Sequence, residues 1–538
     1  MTGRRPAYFF LAAAAILLLQ LAQGYAQTRP SFSGSLESNG LYDPDPNSPY
    51  KGFHANNYLR TDVTIGAFSA GLQLEWYPSP MPGFDHSLQG WHLPITYVSW
   101  QNRNWSVTAG SFYEQLGNGI LLRSWEDRSL GLANSLGGLR VKGTLLDGGI
   151  NLTLLAGAPR RNDLCWGYAP TLVSGADLDL DLPRLFGWDL PVGFTLGGGV
   201  TDRFEWAPDN DLSLLLGTTV PASVLMHSVR AGFSAGSFQL DAGYVGKGQD
   251  FTAVRHNGSS DTYELQAGRA FYADASWTVG PVSLTASWRY LDNMALKAWR
   301  DLGSASQSNT LNYLPALCQQ QTYMLAGLNP YETYAEGENG FRADLYYRFA
   351  RGSVLGGKYG MTLHVGGSWI NALGKVLPRR DKDHLAYRDL NIELKRKWNS
   401  RLKTTLFVSI QENSPTHGNR NATEAQNVFV LEGQYAFSSN VSLRTELQYL
   451  YSQEREKDWM AALVELGIAP HWSFTVSDMY NHGSSHEHFW NVTASWSLNA
   501  LKCIVGYGRN KEGMVCSGGV CRWQPEYQGL FFRIQYTL

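Results

Sequence analysis

The densest run of charged and conformationally special residues lies between residues 110 and 141. Gly110, Gly117, Gly119, Gly137 and Gly138 allow sharp turns or close backbone approach. Between them stand Arg123, Glu126, Asp127, Arg128 and Arg140, a set balanced enough in sign to form an ion-pair network. Two roles suit such a set inside a wide pore. It either narrows the passage and sets its charge, or it latches the surrounding wall with arginine–carboxylate pairs and touches no solute. His482, His486 and His488, with Glu487 among them, offer imidazoles for zinc or copper. On a loop they are held more loosely than two histidines one helical turn apart, and a solvated polar loop is the simpler explanation. Asp177, Asp179 and Asp181 alternate with Leu178, Leu180 and Leu182, so the carboxylates share one face of an extended segment. Hard oxygens suit calcium, but no glycine-centred loop accompanies them. Nothing marks a nucleophile: no serine sits in a G-x-S-x-G turn, and no catalytic residue or cofactor is assigned.

The elements that must position these residues are strands. Leu59, Thr61, Val63 and Ile65 alternate with Arg60, Asp62 and Thr64; Val282, Leu284, Ala286, Trp288 and Tyr290 alternate with Ser283, Thr285, Ser287 and Arg289. The same period recurs in Leu402 to Ile410 and in Val441 to Tyr451. Period two puts the apolar members on one face. The opposite face carries charge in mid-strand (Arg60, Asp62, Glu75, Arg289, Glu393, Lys395, Arg444, Glu446), which suits a wet lumen and no sandwich core. The apolar series often end in Trp or Tyr, as an interfacial girdle requires. At the chain end Leu530, Phe532, Ile534, Tyr536 and Leu538 form an apolar stripe, and an open edge in lipid would leave backbone groups unpaired. Closure is therefore expected against a first strand near Phe32 to Glu37.

Composition agrees. Charged residues are 17% of the 538, below the roughly 25% of ordinary domains, while aromatics reach 13% with 18 Trp and 28 Tyr. Mean hydropathy is nonetheless negative, so the chain is no bundle of apolar helices. The formal charge of −2 excludes the basic excess of a nucleic-acid binder. Arg4 and Arg5 precede an apolar run from about Ala7 to Leu19, and Gly24 and Ala26 stand at the −3 and −1 positions of a cleavage site before Gln27. The run is too short to span a bilayer and reads as a cleavable signal peptide, residues 1–26. Residues 27–538 read as one closed antiparallel transmembrane β-barrel of roughly 18–22 strands, given the 9–11 residues that each tilted strand needs. Both termini are expected in the periplasm, and long loops at about 158–222, 293–340 and 510–526 are expected on the extracellular side, the first of them with a candidate added strand at Phe194 to Val200. Cys516 and Cys521 are close enough to staple one loop, Cys165 and Cys318 are a candidate second pair, and Cys503 shares the parity of Leu501, Val505 and Tyr507, a lipid-facing register.

The run Tyr113, Glu114, Gln115, Gly117 and Gly119, the stretch Glu126 to Gly131, and the tail Cys516 to Arg522 together resemble an uncharacterised family of Bacteroidota outer-membrane barrels. A mature chain starting at Gln27 is also similar to that group. The resemblance implies an outer-membrane barrel and no established activity. The expected work is passive, porin-like passage of small polar solutes; the competing expectation is a non-transporting barrel subunit or scaffold of an envelope complex. The expected partners are outer-membrane lipid, the barrel assembly machinery during insertion, and envelope proteins. There is room for neither a plug domain with a 22-stranded receptor barrel nor a passenger domain.

Overall fold

Lipid offers no hydrogen bonds, so a strand that crosses it needs a partner on each side and the sheet must close. The computed structural model describes residues 29–161, 165–206, 217, 219–254, 262–300, 309–373, 384–414, 423–454, 456–517 and 520–538. The expected signal peptide, 1–26, lies outside the described residues. Twenty-four antiparallel strands form one sheet. The first, Ser31–Asp43, pairs with Gly52–Ile65 on one side and with the last, Tyr527–Thr537, on the other. In that closing pair Ser35 lies opposite Thr537 and Tyr42 opposite Leu530. With an even strand number, both ends of the described chain lie at the same rim. That rim carries tight turns, as at Gly66-Ala67 and Gly236-Ser237, where the leading glycines take φ +58°. The long connections gather at the opposite rim.

The alternation read from the sequence sets the two faces. Leu59, Leu72, Leu284, Trp288, Leu406, Ile410 and Leu447 point outward and are exposed. An apolar belt of this kind on all sides is stable only against hydrocarbon. Exposed aromatics flank it: Trp277, Trp398, Phe437 and Trp472 near the turns, and Tyr42, Phe53, Trp76 and Trp91 near the long connections.

The count exceeds the expected 18–22 because the stretch 158–222 is not a loop. It contains two wall strands, Thr171–Asp181 and Val192–Glu205, joined through the short helix Leu182–Phe186. Their inner face hides the pattern. Asp177 and Asp179 point into the lumen, where both hold Arg230 at 2.6 Å. Gly197 and Gly199 make room for that cluster: a Cβ on Gly197 would stand 2.4 Å from Arg230 Nε and 2.4 Å from Asp179 Oδ1. The three aspartates thus form no cation site; Asp181 caps the helix and pairs with Arg184.

Within 510–526 stands a hairpin, Gly513–Ser517 with Val520–Gln524, whose facing pair Cys516–Cys521 is disulfide-bonded. The candidate pair Cys165–Cys318 is not formed: both are free, as is Cys503. Replacing Leu447, which is 60% exposed at mid-strand, by Arg is expected to cost about 2–4 kcal/mol. Urea titration of the barrel folded in vesicles, read by gel mobility, checks this.

Candidate functional site

Two connections turn inward at the rim of long loops. Segment 113–135 forms two miniature hairpins, Gln115–Leu116 with Leu122–Arg123 and Glu126–Asp127 with Leu132–Ala133. Segment 293–336 crosses the lumen. Its first part, Met294, Leu296, Ala298, Leu311 and Leu314, packs with Leu116, Ile120, Leu121 and Leu122 against Val173, Val224, Met226, Val245 and Leu291 of the wall. Its middle, Tyr323, Leu325 and Ala326, seats on Phe407, Val428, Val430, Leu450 and Trp459 of other strands. Leu317 and Tyr331 cover Ile370, Ala386 and Tyr387. The expectation that 293–340 projects outward therefore fails. Its leucines and aromatics bury more apolar surface inside the barrel than water would tolerate. The two segments are tied to one another: Arg123 N donates to Leu311 O at 2.8 Å, Tyr313 N to Gly119 O at 2.9 Å, and Asn312 Nδ2 to Ile120 O at 3.2 Å and Met294 O at 2.6 Å.

Of the five charged residues singled out around 123–140, four lie in this plug and Arg140 on the adjoining wall strand, and only Glu126 and Arg128 pair with each other. Arg128 pairs with Glu126 and with Glu37 of the first strand, each at 2.9 Å, and lies over the Tyr58 ring. Glu126 also accepts from Gln73 at 2.8 Å. Arg140 reaches Glu114 at 3.2 Å, which Lys142 approaches at 2.7 Å. Arg123 stacks over Tyr313 (4.0 Å) and Trp125 (5.0 Å). Asp127 accepts from Ser129 N and Leu130 N and shapes a turn. Local spacing could not give Glu37, which comes from a distant strand. A further pair, Arg160–Glu75 (2.9 Å), is almost fully buried.

The same holds for the two clusters that anchor 293–336. Arg300 pairs with Asp250 (3.0 Å) and Glu205 (2.5 Å), and Arg203 with Asp250 (3.3 Å). Glu338 takes Arg289 (2.7 Å), the Tyr331 hydroxyl (2.7 Å) and Tyr334 N (2.9 Å).

Nearer the turns the lumen is wetter, and its charges are also matched. Arg60 pairs with Asp62, Lys395 with Glu393, and Arg444 with Glu446, Glu432 and Glu465. The inward residues near the turns stay wet on both sides of the lumen. On Trp472–Asn481, His488–Leu498 and Tyr527–Thr537 the inward Ser473, Thr475, Ser477, Thr493, Ser495, Arg533 and Gln535 are half-buried or exposed, and on Val282–Asp292 Ser283, Thr285 and Ser287 are half-buried too. Further towards the long connections Leu291, Ile370, Phe407 and Val428 are sealed at 1% exposure or less, and Leu41 and Phe489 are buried as well, Phe489 in one cluster with Tyr323 and Leu325.

The three histidines do not converge. His488 pairs with Asp478 at 2.8 Å and stacks on Tyr480, His486 reaches the Tyr480 hydroxyl at 3.4 Å, and His482 stacks on Tyr449. Among the described residues no group of three or more His, Cys, Asp or Glu is arranged to hold a metal.

A family model described as a family of unknown function, DUF6029, matches residues 6–538. No curated protein matches the chain. Among solved structures, the P pilus usher PapC translocation pore is similar at 10% identity and TM-score 0.43, over 94% of this chain and 99% of that one. The siderophore receptor PirA from Pseudomonas aeruginosa is similar at 11% identity and TM-score 0.41, over 95% and 81%. The copper transporter OprC is similar at 9% and 0.41, over 95% and 83%. Nothing about activity follows from likeness at this level.

Two outcomes are expected. Glu338→Ala strands the Arg289 guanidinium in the wall and should cost about 3–5 kcal/mol, whereas the double change Arg289→Met/Glu338→Leu should recover most of it; urea titrations of the three proteins decide. Desolvation in the plug pushes the Cys318 thiol up to about 12, so at neutral pH a maleimide should label the exposed Cys165 well before Cys318, as mass spectrometry of the folded barrel would read.

Proposed function

We propose that this chain, which belongs to that family of unknown function, is an integral barrel of a bacterial outer membrane that passes small polar solutes passively along a conduit through its lumen. The carrying observation is the polar half of the inner wall towards the turns, where small hydroxylic and amide side chains such as Ser283, Thr285, Ser473, Thr475, Thr493 and Gln535 are only half-buried. A passage of this kind needs no cofactor or energy source, and its flux is limited by width. Because the lumen carries both signs of charge, weak ion selectivity is expected.

The reading extends to orientation and export. The turn rim with both chain ends faces the periplasm, the long connections face outward, and residues 1–26 direct export before the barrel assembly machinery inserts the strands. The Bacteroidota origin that the tail motif and residues 113–131 imply belongs to the same proposal. One observation favours a second reading, a non-transporting barrel subunit or scaffold of an envelope complex: segment 293–336 touches opposite walls through fully buried side chains. In that reading envelope proteins dock at the long connections.

Single-channel recording of the refolded barrel in a planar bilayer tests the proposal. Steady conductance is expected, reduced several-fold by Thr493→Trp, which narrows the conduit. In Arg123→Ala/Arg128→Ala the plug loosens and conductance should rise. A correctly folded but silent barrel, stable in mild detergent only with a co-purifying protein, would overturn the conduit and favour the scaffold.

A further inference from the structure

The most buried arginines of the barrel meet carboxylates: Arg160 meets Glu75, Arg289 meets Glu338, and Arg203 and Arg300 meet Asp250. Arg522, half-buried in the clipped hairpin, does not. Its donors reach only neutral oxygens: Nε to Ser129 O at 3.2 Å, Nη1 to Pro82 O at 3.3 Å and Trp523 O at 3.4 Å, and Nη2 to Gln524 Oε1 at 3.1 Å. The guanidinium lies 4.4 Å from the centre of the Phe84 ring. Among the described residues no carboxylate pairs with it, and burial pushes its pKa below the ordinary arginine value. A cation taken from water without a counter-charge is costly, so the arrangement favours an anion brought from outside.

Beside this group opens a cavity of about 550 Å³, within the range of small-molecule sites. Phe84, Leu88, Leu130, Leu132 and Trp523 line it, with Asp85 as the one acidic lining residue. Asp85 is engaged in capping Ser87 N at 2.9 Å. Two features hold the cation in place. The Cys516–Cys521 bond clips the hairpin that presents it. Gly83, at φ +81°, leaves the space it occupies, since a Cβ there would stand 2.2 Å from Arg522 Nη1.

We propose that this cavity binds small carboxylates with an apolar or aromatic body, the carboxylate on Arg522 and the body against Phe84, Leu88 and Trp523. With Nε, both Nη1 hydrogens and one Nη2 hydrogen engaged by neutral oxygens, one Nη2 N–H is left for a carboxylate oxygen, and the apolar walls reward a ligand larger than a bare anion. The site is independent of whether the lumen conducts, so it is tested by binding alone.

Isothermal titration of the folded full-length barrel in detergent uses phenylacetate, its neutral isostere phenylacetamide, and inorganic phosphate. Phenylacetate should bind, phenylacetamide at least about tenfold more weakly, and phosphate should not displace it. Arg522→Gln should weaken phenylacetate about tenfold or more, while Asp85→Asn, which keeps the cap, should tighten it by removing the neighbouring negative charge. Gel mobility confirms folding of each variant, and Asp85→Asn keeps the test decisive if Arg522→Gln fails to fold. No phenylacetate binding, equal binding of the amide, displacement by phosphate, or indifference to both substitutions would overturn the proposal.

Discussion

Closure of the sheet is the constraint from which the rest of this molecule follows. Each backbone N–H and C=O inside hydrocarbon must find a partner in the neighbouring strand, and the outermost strands can find theirs only in one another. The pairing of Ser31–Asp43 with Tyr527–Thr537 satisfies this. Once the ring is closed, the period of the strand forces two surfaces. The outer one meets lipid and is apolar. The inner one is cut off from bulk water wherever chain fills it, so its polar groups must be hydrated or paired.

Both solutions occur, and they divide the lumen. Near the tight turns, charges such as Arg60 with Asp62 and Lys395 with Glu393 face water in pairs. Towards the long connections, segments 113–135 and 293–336 fill the space. There the wall turns apolar at Phe407, Val428 and Leu291, and its most buried arginines meet carboxylates. Buried pairs of this sort add little net stability but penalise any misplacement of the segments they hold. They therefore fix where the plug sits more than how firmly the barrel folds.

The alternation of Leu59 to Ile65 or Val441 to Tyr451 made the barrel legible, and the stripe from Leu530 to Leu538 located its closing strand. Thr171–Asp181 escaped, and Val192–Glu205 was legible only from Phe194 to Val200, because lumen-facing aspartates and glycines stand where the pattern looks for ordinary polar residues, and their reason is Arg230 on a third strand. Segment 293–336 escaped for a different reason. An apolar stretch without period says that it is buried, not against what. The charged run 123–140 was visible, but Glu37, which holds Arg128, comes from the first strand, and Glu114 reaches Arg140 only because the strand ending just before it pairs side by side with the one that carries Arg140. The disulfide was readable because five residues of separation confine it to one hairpin; the free Cys165 and Cys318 had no such local constraint.

The path of segment 293–336 also orders assembly in time. It leaves the wall after Val282–Asp292 yet seats on Phe407, Val428, Leu450 and Trp459, residues that follow it along the chain. Its resting place does not exist until those later strands are in register, and the ring that confines them awaits the final strand. Contacts of such long sequence separation make folding slow, because loop-closure entropy is spent before they form. The central filling of this barrel is thus a late event in its maturation, and until then the inner surface it will cover is open to water.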